Sequence, residues 1–333
     1  MENRKVMKLG SSSLVISLPR EWIDKLSIKK GDRIEFDFRD DGSLILLPKE
    51  LAETKEREVE ILVSSDFEKG RLERELIGAY LGNYSIIKLK AEEAFTKEQQ
   101  VEVRNRLARL TGCQIVESSS NKMVIQNLLK IKDFNVDKGL YRAYLIALSM
   151  YKDSINALKE SRLDLLEGVI QIDEDVDQFY FLVLKQLRTV LADLRLMKSL
   201  KLKPIDCLDY FMVMQRIEHI ADHIVNIAEH LKIILPENLD SSLSKVLEDT
   251  LTKVFHIFEG AMDSFLLGNL DRANKIINQN NDLKEKRGET RSKIEKTRLP
   301  VDILIAFNLL NDSIFRISDY ATDIAEVAIN RSL

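Results

Sequence analysis

Asp173 and Asp177 stand four residues apart, as do Glu218 and Asp222, and Glu229 follows seven residues later. A four-residue step on an α-helix returns to the same face, so each pair presents two carboxylates side by side. At about 100° per residue, with Ile217 as origin, Glu218, Asp222 and Glu229 fall between about 100° and 140°. Ile217, Ile220, Ala221, Ile224, Ala228 and Leu231 gather near about 340° on the same wheel. The three acids therefore share a stripe beside an apolar face. Carboxylates on the helix of Asp173 and Asp177, facing that stripe, would offer a hard cation its oxygen ligands, and their mutual repulsion favours one. The other reading of such a stripe is a solvated face paired with neighbours such as Arg216 or Lys185. His219, His223 and His230 lie near about 200° to 240°, away from the acids, and read as surface histidines rather than ligands.

The stripe recurs. Residues 222–229 (DHIVNIAE) match 319–326 (DYATDIAE) at an offset of 97, and Val169-Ile170 match Ile276-Ile277 at an offset of 107. A duplicated three-helix unit follows, with a shorter hairpin before the second motif. By these offsets Asp173 and Asp177 correspond to Asn280 and Lys284, and Glu218 to Phe315. Only Asp319, Asp323 and Glu326 remain of a second, degenerate site, so one good cluster per chain is expected.

The segments 173–177 (DEDVD) and 216–229 (RIEHIADHIVNIAE), with the repeat around them, resemble the PhoU family of phosphate-uptake regulators across 130–333. The resemblance implies paired three-helix bundles, acid-x-x-x-Asp motifs that hold a divalent or trivalent metal ion (Fe, Zn, Mg or Mn), and a role beside a phosphate ABC transporter ATPase or a phosphate-signalling kinase. It implies no catalysis. A di-iron carboxylate enzyme would need paired Glu-x-x-His motifs, whereas the residue three after Glu218 is Ala221.

A second set of residues could do chemistry of a different kind. Residues 1–33 carry Arg4, Lys5, Lys8, Arg20, Lys25, Lys29, Lys30 and Arg33 against Glu2, Glu21, Asp24 and Asp32, an excess of four positive charges that phosphates would attract. The elements that must position them are short: strands over 5–9 and 14–18, a helix over 20–26 begun by Pro19, an alternating strand over 33–38, a turn at Asp40-Asp41-Gly42-Ser43 and a last strand over 44–47. So few residues bury little apolar surface alone, and partner strands should complete the unit. Residues 10–48 (GSSSLVISLPREWIDKLSIKKGDRIEFDFRDDGSLILLP) are similar to the AbrB/SpoVT/MazE-like swapped-hairpin family. That similarity implies an interlaced homodimer contacting DNA through Arg4, Lys5, Lys8, the Ser11, Ser12 and Ser13 loop, and Arg20. It departs from AbrB in the helix, where an arginine pair is replaced by Ile23 and Asp24.

Between these parts, 55–128 alternates strand-like and helix-like pieces: strands over 59–63 and 85–89, helices over 72–81 and 97–110, and a hairpin of 114–116 with 122–125. It shows no Gly-rich phosphate loop and no histidine, so a packing or ligand-sensing role is expected and Cys113 reads as core. The fold expected is multidomain: a small swapped-hairpin β domain (1–50), a short α+β domain (55–128) and an all-α PhoU-like pair of three-helix bundles with six long helices (130–333). The 333 residues, 45% hydrophobic and 31% charged with 5 Pro and 12 Gly, have the balance of a folded, helix-rich chain. A net charge of -4 argues against wholesale coating of nucleic acid. Two distant cysteines, Cys113 and Cys207, and no apolar run near the ~20 residues that span a bilayer, fit a cytoplasmic protein without membrane insertion.

Overall fold

A computed structural model describes residues 3–39, 41–48, 57–129, 135–237, 241–285 and 299–333. The chain divides into two compact units, Met1–Glu56 and Arg57–Leu333.

In the first unit, β1 (Met7–Leu9) pairs antiparallel with β2 (Ser13–Val15), and β3 (Ile34–Phe38) with β4 (Leu44–Pro48). The second hairpin turns at Gly42, whose φ of 80° suits a residue without Cβ, and Asp41 accepts a hydrogen bond from the Ser43 amide at 2.8 Å. Asp40 of the expected turn lies outside the described residues. Helix α1 (Arg20–Leu26) starts directly after Pro19, whose fixed φ suits a helix entry, and ends with Ser27 in the left-handed conformation. Among the described residues of this unit only Pro48 is buried. Leu14 is 73% exposed and Phe38 81%.

The second unit begins with an α+β layer. Its sheet runs in the order β5 (Glu58–Val63), β6 (Ile86–Ala91), β8 (Lys122–Asn127), β7 (Cys113–Ser118), with β5 and β6 parallel and the other pairs antiparallel. Helices α2 (Arg71–Leu81) and α3 (Lys97–Ala108) connect the strands. The start of α3 is held by a reciprocal pair: the Thr96 hydroxyl accepts from the Gln99 amide and the Gln99 side chain accepts from the Thr96 amide. Leu72, Leu76, Tyr80, Ile87, Leu89, Val103, Leu110, Met123 and Ile125 close a core between helices and sheet.

Among the described residues, six long helices follow: α4 (Val136–Glu160), α5 (Leu163–Ala192), α7 (Pro204–Ile234), α8 (Ser241–Leu267), α9 (Leu270–Glu285) and α10 (Val301–Ser332), with a short α6 (Leu194–Ser199) after α5. Side chains at their starts explain several boundaries. Asn135 caps α4 by accepting from the Asp137 amide at 2.8 Å, Asp193 caps α6, and Pro204 opens α7. Helices α4, α5 and α7 form one trio and α8, α9 and α10 the other, joined through a broad contact of α7 with α10. The pairs Arg216 with Asp323 and Tyr210 with Arg331 show that these two run antiparallel. One continuous apolar core, from Val136 to Ala328, spans both trios. Burying each such side chain contributes about 1.5–3 kcal/mol, so this core fixes the helices that carry the acids. No helix among the described residues is long and apolar enough to cross a membrane.

Candidate metal centre and nucleic-acid interface

Asp173 and Asp177 project from α5 toward Glu218 and Asp222 on α7. Asp173, Asp177 and Glu218 are half-buried and Asp222 is exposed. Burial, then the carboxylates of Asp177 and Asp222, pushes Asp173 up to about 6. Burial followed by Asp222, Asp177 and Asp173 lifts Glu218 to about 7. Asp177 is raised by burial and by Asp222, against the pull of Arg109 and Arg106. Burial raises Asp222, which His219 and His223 draw back. Four carboxylates from two helices thus feel one another.

Glu229 does not join them. It lies on the same stripe but seven residues beyond Asp222, roughly 10 Å along the axis, and it is exposed. A shared angle on the wheel is not a shared depth. Among the described residues, no three Asp, Glu, His or Cys side chains are gathered as a preformed metal shell. The donor set fits a hard cation in charge and chemistry, and its side chains would have to close on the ion.

The cations expected beside these acids are elsewhere. Arg216 Nε lies 2.8 Å from Asp323 of the second repeat, and Lys185 is fully buried over the Tyr80 ring, its Nζ 4.2 Å from the centroid. The residue that meets the cluster is Arg109, at the end of α3. Its Nη2 donates to Glu174 and its Nη1 lies 3.9 Å from Asp177. A pairing across 65 residues left no local signal in the chain.

The histidines also differ from expectation. His219 and His223 are half-buried, their ring centroids 5.2 and 5.8 Å from that of Tyr320, because α10 covers this side of α7. His219 Nε2 comes within 3.5 Å of Glu218. His230 directs Nδ1 to the Asn226 carbonyl at 2.5 Å.

In the second repeat, Lys284 Nζ sits 2.6 Å from Asp319, and Asn280 is buried and donates to Thr322 at 2.7 Å. Phe315 is buried where the first repeat has Glu218. Asp319 is thus matched by Lys284 of its own trio and Asp323 by Arg216 of the first, while Glu326 is exposed and outside the group. Cys113 is half-buried with its thiol pushed up to about 11 by burial, far from a reactive thiolate.

In the first unit, Arg4, Lys5, Lys8, Ser11, Ser12, Ser13 and Arg20 are all exposed. Lys8 and the serines surround the β1–β2 turn, Arg4 Nη1 donates to Ser17 Oγ at 3.4 Å, and Arg20 lies 3.8 Å from Asp24. This face can accept phosphate oxygens, and beside it Val6, Leu9, Leu14 and Ile16 are open to solvent.

The PhoU domain model matches this chain twice, over residues 140–231 and 247–328. The chain belongs to the PhoU family. Its two matched stretches are the two trios, and the acids of α5 and α7 fall in the first PhoU domain. A second model, antidote-toxin recognition MazE, bacterial antitoxin, matches residues 7–54, the part that holds both hairpins. Among solved structures, the phosphate transport system regulatory protein PhoU from Streptococcus pneumoniae shares the fold at 14% identity and a TM-score of 0.50, covering 58% of this chain and 91% of that one. PhoU from Pseudomonas aeruginosa matches at 18% identity and a TM-score of 0.46, covering 60% of this chain and 96% of the other. No curated protein matches. Neither PhoU domain match includes the α+β layer of residues 57–129.

Proposed function

We propose that this PhoU-family chain is a regulator of phosphate uptake that binds DNA as a homodimer and carries a metal-binding helical sensor domain. It acts in the cytoplasm and catalyses no reaction. The observation that carries the DNA-binding reading is the first unit: an exposed basic face on two hairpins whose apolar side chains find no core within one copy. A second copy interleaving its strands would bury Leu14, Phe36 and Phe38 and double the positive face. Contacts to phosphate oxygens would fall to Arg4, Lys5, Lys8, the 11–13 loop and Arg20, and would weaken steeply with salt.

In the helical domain, Asp173, Asp177, Glu218 and Asp222 would hold a divalent or trivalent ion such as Fe, Zn, Mg or Mn. A bound cation supplies the charge that four mutually repelling carboxylates lack, tying α5 to α7. In the second repeat Lys284 and Arg216 already supply it, so Asp319, Asp323 and Glu326 would be idle as ligands. Elemental content should then fall in Asp173→Ala with Asp222→Ala and persist in Asp319→Ala; the reverse pattern would move the ion to the second repeat.

A second reading makes the chain a scaffold that docks on the ATPase of a phosphate transporter or on its signalling kinase, with the N-terminal unit only dimerising. Ile23 and Asp24 favour it, since Asp24 sets a carboxylate against Arg20, the one basic side chain at the helix start. Fluorescence anisotropy on labelled DNA separates the two. The DNA-binding reading expects affinity that falls with salt and is lost in Lys5→Ala with Lys8→Ala. A scaffold shows neither. Recovery of bound genomic DNA from cells with and without phosphate would then locate the operators.

A further inference from the structure

Each repeat sets basic side chains against its acids, but the two do so from different places. In the second, Lys284 comes from α9 and Arg216 from α7, both inside the helical bundle. In the first, the cation is Arg109, carried by the α+β layer that the PhoU matches leave out. That layer is seated on the outer face of α5. Arg188 Nε donates to the Leu81 carbonyl at 3.2 Å, Lys185 lies over Tyr80, and Phe181 packs against the layer's core. Arg109 marks the end of this seat nearest the acids. It also lines, with Arg106, Glu73, Glu102, Lys69 and Lys97, a cleft of about 1020 Å³ between α2 and α3. Arg106 is engaged there by Glu73, whereas the groups that meet Arg109 belong to α5.

From this arrangement we infer that Arg109, held by Glu174 at the edge of the first acid cluster, is a tethered counter-ion that competes with a metal ion for Asp177. The inference rests on the reading that Asp173, Asp177, Glu218 and Asp222 take a metal. A guanidinium beside Asp177 and a divalent ion on the same carboxylate repel each other, so each weakens the other's hold. The displaced side chain has somewhere to go, because the cleft it already borders opens to solvent. Ion uptake then loosens the end of α3 from α5 and alters the seat of the α+β layer, whereas the second repeat, with its cations built into the bundle, cannot respond in this way.

The test is calorimetric titration of the metal-free full-length chain with Mn²⁺, comparing wild type, Arg109→Gln and Arg109→Lys, each checked for an unchanged melting profile. Removing the charge should tighten Mn²⁺ binding roughly fivefold, and the lysine variant should stay close to wild type. Hydrogen exchange of wild type should show the amides around 105–109 opening when Mn²⁺ is added. Equal affinities in wild type and Arg109→Gln, with binding that vanishes in Asp173→Asn plus Asp222→Asn, overturn this inference alone. Absence of Mn²⁺ binding in every variant, or binding indifferent to those two aspartates, overturns the metal reading and this inference with it.

Discussion

If the four carboxylates hold a metal ion as proposed, protons compete with it for the same oxygens, and the pH dependence of the folded chain bears on both. Asp173 titrates at about 6 and Glu218 at about 7, both above an ordinary carboxyl group. Between about pH 4 and 7 the folded chain therefore holds protons that the unfolded chain has released, so stability falls as pH rises through that window. The metal-free protein is expected to melt higher at about pH 5.5 than at about pH 7.5. Asp173→Asn with Glu218→Gln should flatten the difference, measured by differential scanning calorimetry; an unchanged slope would mean that other groups set it. Under the proposed metal reading, affinity would run the opposite way, weakening below about pH 7, because carboxylates ligate only when deprotonated. At this scale the acids were readable from spacing along two helices. Their cation was not: Arg109 looks in the sequence like any base on an amphipathic helix.

One element does more to join the layers than any other. Helix α5 gives its inner face to the trio and its outer face, through Phe181, Lys185 and Arg188, to the α+β layer. Lys185 bears the cost of that arrangement: its ammonium is buried with no hydrogen-bond acceptor among the described residues, and desolvation pulls it down to about 8. Lys185→Met, of similar length and apolar, should stabilise the chain by about 1–2 kcal/mol in urea unfolding. A loss of more than about 1 kcal/mol would show that the cation–π contact with Tyr80 outweighs the buried charge. Helix bounds such as 20–26, set by Pro19 and the apolar run behind it, could be read in advance to the residue. The facing of His219 and His223 could not, since a wheel drawn for α7 alone does not contain α10. Helix period reports which side chains share a face, and only packing reports what that face meets.

The whole chain couples a part that is nearly all core to one that has almost none. The helical domain buries apolar side chains throughout its length, while Val6, Leu9, Leu14, Phe36 and Phe38 of the N-terminal unit remain open. On the proposed pairing of N-terminal units, Phe38→Asp should leave the helical domain folded yet run as a monomer by light scattering while the unaltered chain runs as a dimer; a dimeric variant would place the interface elsewhere. The resemblances at both ends of the chain rest on long runs of residues and carry its fold. The middle layer offered no such run, and its bearing on the acids emerges only from where α5 holds it. The bare hairpins carry one more implication, governed by mass action. If only a pair of chains can shape a DNA-binding head, and the chain is present at or below its dimer dissociation constant, halving the copy number leaves well under half the heads assembled, so a gene it controlled would answer to protein abundance more steeply than in proportion.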